Sequence, residues 1–339
     1  MQGCVRRMAL AGGLTAAVVG CADRRYEPFA LIRSHLAVAQ GKQHLEAEEI
    51  DEALFELQNA VELNPRLKEA HAGLGAIWER KGDFEAAARR FAEAVRLDPS
   101  NFDYNFSLAR MYQRLLRFPD AVRAYLQACE LQPVNLQARL NLASCYHQAG
   151  ELNEAIAHYQ RAIELAPDEA AAYANLGAAY DAQQKYYEAI HAYNESLERD
   201  PQQPLVLINL ATTLIKQNRL ANAHKSLERA IEIAPELALA HERMGYCCFL
   251  ERSLDEARRH YEKAVALDPK MPEAHAGLGI TKMSQYLQSP TEVSLRQEAV
   301  DCWHKSLELN PDQPKIRNLV SKYAPPGSAD SNTVLLETP

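Results

Sequence analysis

One thiol and a spaced set of amides are the groups in this chain whose type and position could do chemistry. Cys21 ends the run Val18-Val19-Gly20-Cys21, which follows Arg6, Arg7 and the small or apolar stretch from Met8 to Val19 (MALAGGLTAAVV). A small residue beside a cysteine leaves a peptidase room to reach the backbone, and the sulfur is a nucleophile able to accept an acyl chain. The stretch is too short to span a bilayer, but its length and charge fit the apolar core of a secretory signal. Farther along, Asn141, Asn175 and Asn209 fall 34 residues apart, each just before a leucine. A side-chain amide donates and accepts at once, which suits the main chain of an extended peptide.

The Val-Val-Gly-Cys run resembles the bacterial lipobox. That resemblance implies cleavage before Cys21 and acylation of both its thiol and its new amino terminus. One acyl chain anchors weakly, whereas two give stable attachment. Residues 1–20 are then a lipoprotein signal peptide, and Ala22 to Pro28 (ADRRYEP) a polar tether. Ala22 stands where many such lipoproteins carry the aspartate that retains them at the inner membrane. In a two-membrane bacterium this favours the outer membrane, facing the periplasm.

Elsewhere catalytic patterns are missing. The sequence contains no G-x-S-x-G, H-E-x-x-H or phosphate-loop motif, and none of its seven cysteines forms a C-x-x-C pair. Gly73-Leu74-Gly75 and Gly277-Leu278-Gly279 look like fragments of a dinucleotide loop, but no strand precedes them. His71, His241 and His275 recur at one repeat position and read as packing residues, not metal ligands. Cys129 and Cys145 fall on segments expected to pack together, as buried thiols or as a disulfide. We therefore expect no enzyme activity, no metal and no cofactor. A formal net charge of -8 argues against nucleic acid as a partner, which requires a basic face.

The elements that carry these groups follow from a strict period. Prolines stand at 65, 99, 133, 167, 201, 235 and 269, each 34 residues after the last, and Pro311 follows after 42. Twelve residues before each proline is an alanine, from Ala53 to Ala299, and four after that alanine is Leu57, Phe91, Tyr125, Tyr159, Tyr193, Leu227, Tyr261 or Trp303. Upstream lie pairs such as Leu74-Gly75, Leu142-Ala143 and Met244-Gly245. Small residues permit close helix approach and large ones fill the adjoining gap. The proline ends the second helix of each pair.

The pattern closely resembles the tetratricopeptide repeat (TPR), with its 34-residue period and its L-G, A-x3-F and P positions. The resemblance covers residues 34–311 and implies an all-α fold: a right-handed superhelical solenoid of about eight helical hairpins plus a C-terminal capping helix. It also implies that the first helix of each hairpin lines a concave groove. Asn141, Asn175 and Asn209 would then form a ladder for peptide main chain. The same wall would carry Arg110, Arg114, His147, Asp181, Thr212, Lys216, Arg243, Tyr246 and Phe249. Cationic and aromatic groups there would suit an acidic or aromatic-bearing segment.

The two ends depart from the pattern. Gln40 and His44 replace the usual leucine and aromatic of the first repeat. The eighth repeat carries extra residues, and Ser289-Pro290-Thr291-Glu292 reads as a capping box that starts its second helix near Pro290, about two turns early. Residues 21–33 are expected to form the tether and first helix start, 312–324 the capping helix and 325–339 a disordered tail. Together these features suggest a membrane-anchored scaffold that binds protein or peptide segments and serves assembly of an envelope complex. The alternative is a cytoplasmic adaptor or co-chaperone with no lipid anchor.

Overall fold

The computed structural model of the chain describes residues 29–324, and every regular element among them is an α-helix. The leader, Cys21 and the tail after residue 324 lie outside the described residues. The chain divides into two compact units, each a solenoid of helical hairpins whose first helix (A) and second helix (B) alternate.

The first unit, ending at Leu165, holds α1 (29–46), α2 (Ile50–Leu63), α3 (Lys68–Arg80), α4 (Phe84–Leu97), α5 (Phe102–Arg114), α6 (Phe118–Leu131), α7 (Leu136–Gln148) and α8 (Leu152–Leu165). The second begins at Ala166 and holds α9 (Ala170–Ala182), α10 (Tyr186–Arg199), α11 (Pro204–Lys216), α12 (Leu220–Ile233), α13 (Ala238–Leu250), α14 (Leu254–Leu267), α15 (Pro272–Gln288), α16 (Val293–Leu309) and α17 (Pro314–Tyr323).

Packing within each unit rests on the periodic small and large residues. The helix B alanines, Ala53 through Ala299, are fully buried, and the large residue one turn on is buried with each. A Cβ added to Gly177 would lie 2.7 Å from the Tyr193 ring, so this glycine is what lets α9 and α10 close. The Tyr261 ring is enclosed from two sides, by Gly245 of its own hairpin and by Gly277 of the next. Cys129, Cys145, Cys247 and Cys248 are buried free thiols within these cores, and burial pushes Cys145 up to about 12.

The A-to-B turns share one backbone solution. The residues at 48, 82, 116, 150, 184, 218 and 252 all have positive φ, although only Gly82 and Gly150 are glycines. The next residue donates its N–H back across the turn, as Asp83 does to the Trp78 carbonyl at 3.0 Å and Arg117 to Tyr112 at 2.9 Å. This closes the helix end by satisfying a carbonyl that would otherwise lack a partner.

The B-to-A turns are held by a polar latch. In all but one of these turns the proline carbonyl accepts a hydrogen bond from the residue six positions later, which differs in chemistry from turn to turn. Asn105 donates to Pro99, Arg139 to Pro133, Tyr173 to Pro167 and Arg317 to Pro311. His71, His241 and His275 donate through Nε2 to Pro65, Pro235 and Pro269 at 2.9–3.0 Å. These three histidines are buried, so their role is to satisfy a loop carbonyl as well as to pack. Leu207 cannot donate, and Arg229 supplies the bond to Pro201 instead, at 3.3 Å.

The eighth hairpin corrects the expected capping box. Ser289 ends α15, residues 289–292 form the turn, and Glu292 precedes α16 with no side-chain cap. Both helices have 17 residues, whereas interior A helices have 13 and B helices 14. The extra residues therefore lengthen both helices instead of extending helix B by two turns. A turn added to each arm of a hairpin keeps the facing seam in register, which a one-sided extension would not. After it, α17 buries Ile316 and Val320 against the cluster around Trp303.

Candidate peptide-binding surface

In the first unit, α5 and α7 set Arg110, Gln113, Arg114 and Asn141 around an open pocket of about 360 Å³. Asn141 presents little of its amide to a ligand. Its Oδ1 accepts from Gln137 at 2.8 Å, and its Nδ2 donates to the Tyr125 hydroxyl at 3.1 Å. That hydroxyl donates onward to Gln113 Oε1 at 2.9 Å, and burial pushes its phenol well above the ordinary range, so it stays a neutral donor. Arg110 is paired with Glu79 of α3. The Arg114 guanidinium lies 5.7 Å over the Phe84 ring and enters no ion pair among the described residues. On α7, His147 is half-buried, which pushes its imidazole below the usual range and keeps it uncharged at neutral pH.

In the second unit, Asn175 of α9 and Asn209 of α11 are exposed one repeat apart. Near them Asp181 and Lys216, expected as separate ligand groups, pair with each other at 2.5 Å. Thr213 Oγ1 donates to the other oxygen of Asp181 at 2.8 Å, while Thr212 bonds the Ile208 carbonyl of its own helix. Lys216 also lies 5.6 Å over the Tyr186 ring. Arg243 meets Glu242 at 3.2 Å; the Glu242 carboxyl is buried, which pushes it above the ordinary carboxylate range despite that arginine. Tyr246 is exposed, whereas Phe249 packs against the core.

Several of the groups expected on the wall already have partners within the protein. Arg110, Lys216 and Arg243 are matched by Glu79, Asp181 and Glu242, and Phe249 is committed to packing. The A helices of the second unit offer a ligand mainly the neutral amides of Asn175 and Asn209 and the phenol of Tyr246; those of the first unit offer the cation of Arg114. Sequence reasoning missed Gln113, Tyr125, Glu79 and Thr213. Two of the ion pairs join residues 31 and 35 positions apart, so looking one period along for the opposite charge would have found them.

A separate feature lies at the start of the described chain. Phe29, Ile32 and Leu36 of α1 are exposed at helical spacing, with Phe55 of α2 exposed as well. None of the helices among the described residues is long and apolar enough to cross a membrane.

Family models described as tetratricopeptide repeat match residues 38–102, 79–115, 106–169 and 208–272, and a second such model matches 170–203. Together they span more than half of the chain. Among solved structures the chain is similar to a tetratricopeptide repeat protein from Parabacteroides merdae, at 19% identity and a TM-score of 0.61, over 75% of this chain and 97% of that one. It is similar to a chain of the APC/C Cut9–Hcn1 hetero-tetramer, at 15% identity and a TM-score of 0.58, over 81% of this chain and 53% of that one. It is also similar to pilF of Pseudomonas aeruginosa, at 21% identity and a TM-score of 0.51, over 61% of this chain and 94% of that one. At these identities the likeness is one of fold. Comparison with curated proteins returned no match.

Proposed function

Because the chain belongs to the tetratricopeptide repeat family, whose members bind protein or peptide partners, we propose that its A-helix face holds extended protein segments while lipid on Cys21 ties it to a bacterial envelope membrane. The observation that carries the binding half is the pair of exposed amides, Asn175 and Asn209, on successive A helices. Helices pack about 10 Å apart and an extended chain rises about 3.3 Å per residue, so the two amides can engage main-chain groups about three residues apart. Such contacts read backbone rather than side chains, which suits a scaffold that takes segments of varied sequence.

Two features support the membrane half. The leader has the charge, length and cleavage chemistry of a lipoprotein signal. Phe29, Ile32 and Leu36 form an exposed apolar stripe. Phe29 is eight residues beyond Cys21, a tether of at most about 28 Å when extended, so an anchored chain would keep this stripe close to the lipid surface. Ala22 favours the outer membrane, facing the periplasm, and assembly of an envelope complex is the role that fits such a scaffold.

Labelling cells with radioactive palmitate tests the anchor. The full chain should take up label and sediment with membranes, and Cys21→Ser should abolish both; an unlabelled, soluble wild-type chain refutes the anchor and favours a cytoplasmic adaptor. Fluorescence anisotropy against a panel of extended peptides tests the wall. Asn175→Ala with Asn209→Ala should weaken the best binder roughly tenfold, since each lost amide bond is worth about 0.5–1.5 kcal/mol. Unchanged affinity would remove the amide pair from the binding site.

A further inference from the structure

Apart from the candidate peptide wall, α12 and α13 bring together three side chains of the types that hold transition metals. His224 of α12, Cys247 of α13 and Glu251 at the C-cap of α13 place an imidazole nitrogen, a sulfur and a carboxylate oxygen within 4.8 Å of one another. Cys247 lies in the last turn of α13, and Glu251, four residues on at the helix C-cap, still has helical backbone, so both project from the same side of that helix end. His224 reaches that face from the packed neighbour, with Nδ1 3.0 Å from Glu251 Oε2.

We propose that His224, Cys247 and Glu251 form a binding site for a divalent transition metal, zinc being the ion whose preferences the donors fit best. Zinc takes mixed sulfur, nitrogen and oxygen ligands in tetrahedral geometry, and three protein donors leave the fourth position for water or a further ligand. The charges also balance: a thiolate and a carboxylate offset a divalent cation, while the imidazole remains neutral. Without a metal, His224 and Glu251 pair with each other and Cys247 is a fully buried core thiol; the donor set is marked out by the convergence of all three ligand atoms on one point.

The surroundings fit the same reading. His224 Nε2 faces Glu228 Oε1 at 3.6 Å, on the side of the ring away from the cluster. The Cys247 thiol donates to the Leu220 carbonyl at the start of α12 at 3.7 Å, which holds the sulfur toward that helix; a bound ion would take the place of that proton. His224 and Glu251 are each about a quarter exposed, at 27% and 24%, so an ion can enter from solvent. Nearby His241 and His260 are bound to one another through their Nδ1 atoms at 3.2 Å and stand outside the set. Because α12 closes one hairpin and α13 opens the next, a bound ion would cross-link consecutive repeats and stabilise the seam between them.

The test is titration of the full chain, reduced with a phosphine and freed of metal, with Co²⁺ and then Zn²⁺. We expect one equivalent of Co²⁺ to produce a thiolate-to-cobalt charge-transfer band that Zn²⁺ displaces, and Zn²⁺ to raise the melting temperature. Cys247→Ser should lose the band and the thermal shift. Glu251→Gln, at a part-exposed position that leaves the core intact, should keep the band while weakening affinity about tenfold or more. A wild-type chain that gives no thiolate band overturns the proposal, and so does a band of equal intensity in Cys247→Ser.

Discussion

Exchanging residues between two equivalent turns isolates the cost of left-handed backbone. Leu116 has φ 57° and is 71% exposed, so it adopts a disfavoured conformation and buries little in return. Gly82 holds the same turn position with φ 79°, and a Cβ there would meet nothing within 4 Å. A left-handed conformation costs an L-residue about 1–2 kcal/mol. Glycine's greater freedom in the unfolded chain returns about 0.5–1 kcal/mol of that. Leu116→Gly should therefore stabilise the first unit by about 0.5–1 kcal/mol, and Gly82→Leu should destabilise it by a similar amount. In a unit of this length the melting temperature should move by about 2 °C in each direction. The chain has two tryptophans, so a Trp303→Phe background leaves Trp78, four residues before Gly82, as the reporter during urea unfolding. If both exchanges shift the midpoint the same way, or Leu116→Gly lowers it, the backbone account of these turns is wrong.

Gly279→Ala should destabilise the second unit by about 1 kcal/mol, because overpacking of about 1–3 kcal/mol outweighs the helix-propensity gain of about 1 kcal/mol. The added Cβ would sit 2.5 Å from Trp303 Nε1 and 2.8 Å from the rigid Ala299 carbonyl, and Trp303 fluorescence reports the change. Tyr125→Phe removes the link between Gln113 and Asn141 and should cost about 1 kcal/mol in a urea melt. Glu242 has its carboxyl raised above 4.5 by burial, so its contribution to stability is complete below that pH and is lost as pH rises through the folded value. Glu242→Gln should therefore unfold at higher urea than the parent at pH 8, with the gap closing by pH 4.

The repeat was legible because hairpin packing leaves few choices at its contact points. Ala189 is fully buried where α9 and α10 approach, and Tyr193 fills the space that Gly177 leaves open. The shared turn conformation was hidden, since Leu116, Gln184 and Arg252 show nothing in their side chains that announces positive φ. Gly82 and Gly150 were its only glycine markers. The motif at Ser289 is a local cap pattern, whereas the helix start is set by the partner helix: lengthening both arms preserves the seam. At the candidate surface, helix and face followed from the period, but charge did not. Lys216 and Asp181 look like two ligands along the chain and become one neutral pair when neighbouring A helices stack.

The latch at the end of α16 bears on how such a protein could be lengthened. Gln313 donates to the Ser306 and Asn310 carbonyls as Gln203 does to those of Ser196 and Asp200, and both glutamines precede a proline that opens the next helix. Arg317 then satisfies the Pro311 carbonyl as interior residues satisfy theirs. By these bonds α17 is docked in the manner of an interior first helix, not through a special terminator. A grafted segment carrying the alanine and aromatic pattern of a second helix, joined after residue 324, would follow a first helix already docked on its predecessor. The array could thus grow by whole hairpins, with each addition inheriting the junction chemistry of its predecessor.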